Sequence, residues 1–179
     1  MAWPTCRDGF LRRKLTTFAS QVIQDFLSLP YWPRKVIVLQ EPSPEILVTD
    51  LDLASWKHMK LGVFLPYTTV GFSEGRVWIN EDEEPQNYLS WGVRVHGSSV
   101  SAFAETYPMG PWNTNYTIWE EDYYMGVKRV AAQFHGSNDS IMVVGRTDYY
   151  PEVENVTSLL IKVVHPEAPY PAGTLVAVV

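Results

Sequence analysis

The spacing of apolar residues changes once along the chain, and the change sets the expected architecture. Within residues 10–29, Leu11, Leu15, Phe18, Val22, Phe26 and Leu29 recur every three or four positions. That period gathers side chains on one face of an α-helix. Arg12, Arg13, Thr16, Gln24 and Asp25 fall largely off the stripe. Asp8 suits the N-cap. Pro30 and Pro33 close the run, because proline lacks an amide donor and restricts the residue before it.

Beyond Pro33 the period shortens to two, the signature of strands. Residues 35–40 read as a buried, β-branched strand ended by Pro42 and Pro44. Ile46, Leu47 and Val48 suit an edge strand, and residues 50–53 a turn or short helical piece. In 56–66, Met59, Leu61, Val63 and Leu65 alternate with His58, Lys60 and Gly62. A short strand over 76–80 leads to Glu81-Asp82-Glu83-Glu84, whose like charges repel and predict a solvated tip.

The second half repeats the theme. Trp91, Val93 and Val95 share one face of a strand over 88–96, with Arg94 and His96 on the other. Gly97-Ser98-Ser99 then signals a hairpin returning over 100–105. Pro108 to Asn115 is the most loop-like stretch. Strands over 116–119 and 125–134 flank the acidic Glu120-Glu121-Asp122, and a turn over 135–139 leads to a strand over 140–147. Residues 158–165 form a further strand. The proline-rich 166–171 leads to the apolar 174–179, which needs a partner to avoid aggregation. That partner is its own sheet or a neighbouring subunit's.

The expected fold is therefore α+β and β-rich, an antiparallel sandwich or barrel-like sheet flanked by one N-terminal amphipathic helix. A single domain over 1–179 divides into a helix and lead-in (1–34), a β body (35–165) with a long loop near 106–115, and a proline-rich arm with a C-terminal strand (166–179). This length supports a sizeable core. Seven Trp, ten Tyr and seven Phe require burial in a core or an interface.

Charge adds an asymmetry. The net charge is −6, yet residues 1–35 carry +4 and the remainder −10. A positive end meeting a negative neighbouring surface makes Arg12, Arg13 and Lys14 candidate interface residues, against the plainer reading of a solvated helix face. Trp112, Trp119, Leu175, Val176 and Val178 join them as candidate contacts in a homo-oligomer. An acidic body disfavours specific nucleic-acid binding. No apolar run approaches the roughly 20 residues that span a bilayer.

Cys6 is the single cysteine, so no intrachain disulfide is available, which fits a reducing compartment. Three glycosylation triplets, at Asn115, Asn138 and Asn155, read as chance matches in the absence of a signal peptide.

Candidate chemistry is sparse. His58, His96, His135 and His165 show no metal-ligand spacing. The acidic run 81–84 lacks the spaced oxygens and turn glycine of a calcium loop. No nucleophile elbow, phosphate loop or dinucleotide fingerprint is present. No catalytic, cofactor or metal residue is therefore assigned. Two alternatives stay open. Glu120 to Asp122 beside Trp119 and Tyr123, with Asp148 beside Tyr149 and Tyr150, suit a carbohydrate- or ligand-binding β domain with a polar-aromatic groove. A small hydrolase whose carboxylates meet only in the fold is the other.

The amphipathic helix, the proline-bounded crossing to the strand at Val36 to Leu39, an acidic turn, and a strand ending Val63-Phe64-Leu65-Pro66 resemble the start of bacteriophage neck and tail-terminator proteins. The resemblance covers about the first 66 residues; the β-rich remainder is larger than that family needs. It implies a non-enzymatic, ring-forming structural component of a virion, assembled in the host cytoplasm. Its partners would be copies of itself and other proteins of the particle, without cofactor or membrane.

Overall fold

The computed structural model describes residues 33–66, 75–108, 113–124, 127–137 and 141–179. The helical run over 10–29, with Arg12, Arg13 and Lys14, lies outside them, as do Cys6 and Trp112. The described chain is β-rich. It forms β1 (Lys35–Val38), β2 (Glu45–Val48), α1 (Leu53–Trp56), β3 (His58–Phe64), β4 (Gly75–Ile79), β5 (Tyr88–His96) and β6 (Ser99–Glu105). There follow β7 (Asn113–Tyr124), β8 (Val127–Ser137), β9 (Ile141–Tyr149), β10 (Leu159–Val163) and β11 (Leu175–Val178). Eight strands make one sheet in the order β1-β11-β3-β7-β8-β9-β5-β6, and β2-β10-β4 make a second. All pairings are antiparallel.

Period-two alternation explains which face of the large sheet turns inward. Met59, Leu61 and Val63 on β3 line up through the register with Ile118 and Tyr116 on β7, and those with Ala132 and Phe134 on β8. Val176 and Val178 extend the row on β11. These side chains share one buried cluster with Ile46, Val48, Val77, Ile79, Leu159 and Ile161 of the smaller sheet. Each fully buried aliphatic side chain contributes about 1.5–3 kcal/mol of transfer free energy.

Several expectations change in three dimensions. Residues 35–38 form an edge strand, because β1 is terminal in its sheet and Val36 and Val38 are exposed. The C-terminal run is an inner strand: β11 sits between β1 and β3 of its own chain. Leu175, Val176 and Val178 are thus buried in this chain, the last two in its core. The proline-rich stretch before them is fastened where Tyr170 and Ser43 exchange amide–carbonyl bonds of 2.9 and 3.0 Å. The acidic 120–122 belongs to β7 itself rather than lying between two strands. A strand sends successive side chains to opposite faces, so neighbouring acids separate and find different cations: Lys128 for Glu120, Arg146 for Glu121.

At the acidic tip 81–84, Glu81, Glu83 and Glu84 are exposed as expected, and Asp82 alone is half-buried. Asp82 Oδ2 accepts hydrogen bonds from the Tyr149 hydroxyl and from Asn87 Nδ2, both at 2.7 Å. Its Oδ1 accepts from the Glu84 amide at 3.1 Å. The Asp82 carbonyl accepts from the Tyr88 hydroxyl at 2.8 Å, and that hydroxyl accepts from the Ile79 amide at 2.9 Å. Asn80 and Glu81, at φ 50° and 60°, make the turn. Asn80 then fastens β4 to the lead-in of β10 through the Thr157 amide at 2.8 Å and the Asn155 carbonyl at 2.9 Å. Asn155 in turn accepts from the Ala54 amide and donates to Asp52, each at 2.9 Å. This glycosylation-like asparagine is a structural tie.

Where β5 meets β9, Gly92 and Gly145 are register partners. A Cβ on Gly145 would lie 2.6 Å from the Trp91 carbonyl oxygen and 2.7 Å from the Phe134 ring. One on Gly92 would lie 2.3 Å from the Val144 oxygen and 3.0 Å from Phe103. The bare glycine pair is what lets Phe103 and Phe134 lie against the sheet.

Two expected outcomes follow from these contacts. Gly145→Ala forces backbone as well as ring to move, a cost of roughly 1–3 kcal/mol, read as a fall in chemical-denaturation midpoint; an unchanged midpoint would contradict the packing. The second concerns acid. Burial by itself would raise the Asp82 carboxyl, but hydrogen bonds from Tyr149, Asn87 and the Glu84 amide outweigh it and hold the group below the 3.8 of a free aspartate. Because the folded-state value is the lower one, this stabilisation is complete above about 3.8 and is lost as pH falls through the folded value. Asp82→Asn should lose roughly 1–3 kcal/mol at neutral pH and show a flatter loss of stability below pH 4. Equal acid sensitivity in both proteins would remove Asp82 from this role.

Candidate functional site

The outward face of the eight-stranded sheet carries the features that the core does not explain. Alternation and register bring three zones into line on it.

The first zone is apolar and covers β9, β5 and β6. Trp91, Val93 and Val95 pair with Arg146, Val144 and Met142 on one side and with Ala104, Ala102 and Val100 on the other. The apolar stripe of β5 is thus the outward one, and its inward side is Tyr88, Ser90, Gly92 and Arg94. Trp91, Val93, Val100, Met142 and Val144 are between 42% and 69% exposed. Isolated surface aliphatics are ordinary; these are contiguous across three strands.

The second zone is an ion cluster beside Trp91. Arg146 Nε donates to Asp148 Oδ1 at 2.5 Å, and its terminal nitrogen donates to Glu121 on β7. Its guanidinium lies 5.6 Å from the centre of the Trp119 ring. Asp148 also accepts from Trp91 Nε1 at 3.3 Å. Ala131 on β8 separates Trp119 from Asp148 in the register, and its small side chain lets Arg146 reach across β8. Burial would lower the Arg146 pKa, yet the hydrogen bonds to Asp148 and Glu121 outweigh this and raise it. The guanidinium is a fixed positive charge between two carboxylates.

The third zone is a shallow groove of about 290 Å³ over β11, β3, β7 and β8. Gly62 and Ala177 form its floor, and Lys60, Phe64, Asn115, Thr117 and His135 rise around it. The Phe64 ring occupies the space that a side chain on Gly62 would fill. Asn115 Nδ2 and His135 Nε2 are 3.4 Å apart.

Of the residues singled out from sequence, Trp119, Glu121 and Asp148 meet in the ion cluster. Tyr149 points the other way, into the core, where its hydroxyl holds Asp82. Arg146 and Trp91 complete the cluster without any linear signal, since only the β7-β8-β9-β5 register brings them there. His58, His96 and His165 are exposed on separate elements. Among the described residues no group of three or more His, Cys, Asp or Glu side chains is placed to hold a metal ion, and no helix is long and apolar enough to cross a membrane. No protein-family model matches the chain, and no curated protein matches its sequence.

Arg146→Leu removes the cation that bridges Glu121 and Asp148. Stability should fall by roughly 1–3 kcal/mol, with the deficit shrinking in high salt as carboxylate repulsion is screened. A variant as stable as the parent at low salt would mean that the cluster contributes nothing to the fold.

Proposed function

We propose that this protein is a non-enzymatic assembly protein that works as a homo-oligomer through the outward face of its large sheet. The observation that carries the reading is the apolar zone of β9, β5 and β6, where large side chains on adjacent strands stay exposed while Tyr88, Ser90, Val143, Thr147 and Tyr149 on the inner face of β5 and β9 are buried. Covering such a zone with another protein gains the hydrophobic free energy that the monomer forgoes. The setting proposed is a virus particle, with other structural proteins of that particle as further partners. Its support is the resemblance of the first 66 residues to phage neck and tail-terminator proteins.

A second reading, a carbohydrate- or ligand-binding β domain, draws on one observation. The groove and the Trp119–Arg146 cluster lie side by side on the same face, giving a polar-aromatic surface.

Light scattering coupled to size exclusion separates the two. The assembly reading expects a mass above that of one chain at low micromolar concentration. The double variant Val93→Lys, Val144→Lys should lower it, with unchanged circular dichroism. A parent protein that stays monomeric at 100 µM, or a double variant that assembles as the parent does, would sink the proposal.

A further inference from the structure

Resting on the reading of a homo-oligomer, we infer that β6 is the dimerisation edge: two copies pair their β6 strands antiparallel about a two-fold axis at Ala102, joining the two large sheets into one. Both end strands of the sheet lack a neighbour among the described residues, but they differ in kind. β1 is four residues long and begins with Lys35, a short, charged edge of the sort that discourages pairing. β6 is seven residues long, Ser-Val-Ser-Ala-Phe-Ala-Glu, and pairs with β5 through an unbroken register. It holds no lysine, no proline and no bulge, the devices by which an edge strand is blunted.

Backbone geometry favours the same register. The two-residue turn Gly97-Ser98, with Gly97 at φ 57°, joins His96 to Ser99, the last pair of the hairpin. The pair flanking a two-residue turn is hydrogen-bonded, so alternation turns the amides and carbonyls of Val100, Ala102 and Ala104 outward. Pairing about Ala102 sets Ala102 against Ala102 of the other copy, and Val100 against Ala104. Main-chain bonds then form at each outward position.

Charge fits as well. The only charged side chain of the strand, Glu105, faces Ser99 of the other copy, so no like charges meet across the axis. Val100, the most exposed large apolar residue described at 69%, gains Ala104 of the other copy as a direct neighbour. The outward apolar zones of the two copies become continuous.

The test uses the full chain with Cys6→Ser to remove the native thiol. Ala102→Cys on this background should give an interchain disulfide under mild oxidation, while Ser98→Cys, at the hairpin turn, should not. Ala102→Lys places two ammonium groups opposite each other on a solvent-facing position. It should weaken dimerisation at least tenfold at low salt while leaving the unfolding midpoint unchanged at concentrations where both proteins are monomeric. An oligomeric parent whose mass is unaffected by Ala102→Lys, or whose Ala102→Cys form does not cross-link, overturns the β6 edge and leaves the assembly reading standing. A monomeric parent overturns both.

Discussion

The structure depends on an imbalance between its two sheets. Eight strands lie in one and three in the other, and a buried face requires a covering layer. Three strands cover the inner face of β3, β7 and β8, where Met59, Leu61, Ile118 and Phe134 are almost inaccessible. They do not extend over the tip of the β5–β6 hairpin, where residues 96–102 are exposed. The hairpin tip stands clear of the core and presents both a face and an edge.

The molecule fastens its loops with polar side chains rather than with covalent links. Asp82, Asn80 and Asn155 each bridge segments far apart in sequence, and each satisfies backbone amides or hydroxyls that the turns leave without partners. Burying such groups unpaired is costly, so these residues are tied to the geometry around them. They sit on the far side of Tyr88 and Tyr149 from the outward face. These loop ties are thus separate from the outward apolar zone.

On that outward face the polar groups are arranged differently. Arg146 lies between Glu121 and Asp148 next to two tryptophans, and on the same face Val93, Val95, Val100, Ala102 and Ala104 of β5 and β6 are aliphatic. The apolar positions and the paired charges are thus adjacent on one face. The ion cluster fixes the positions of Trp91 and Trp119 through a hydrogen bond and a ring contact.

What the sequence by itself determined is the sequence-local part. Alternation placed Met59, Leu61 and Val63 on one face of β3, Gly97-Ser98 marked the hairpin, and β-branched runs located most strands, because these signals depend on a few adjacent residues. It also left residues 120–122 between two strands and read 135–137 as part of a turn, since acidic and glycine-containing runs look alike whether solvated or paired in a long strand. Only the tertiary structure decided which face of β5 turns outward, that β11 lies inside its own sheet, and that Arg146 meets Glu121. Each of these is a matter of strand order and register, set by pairings between segments up to about a hundred residues or more apart. A period of two says that a strand has two faces, but the neighbouring strands decide which face is covered.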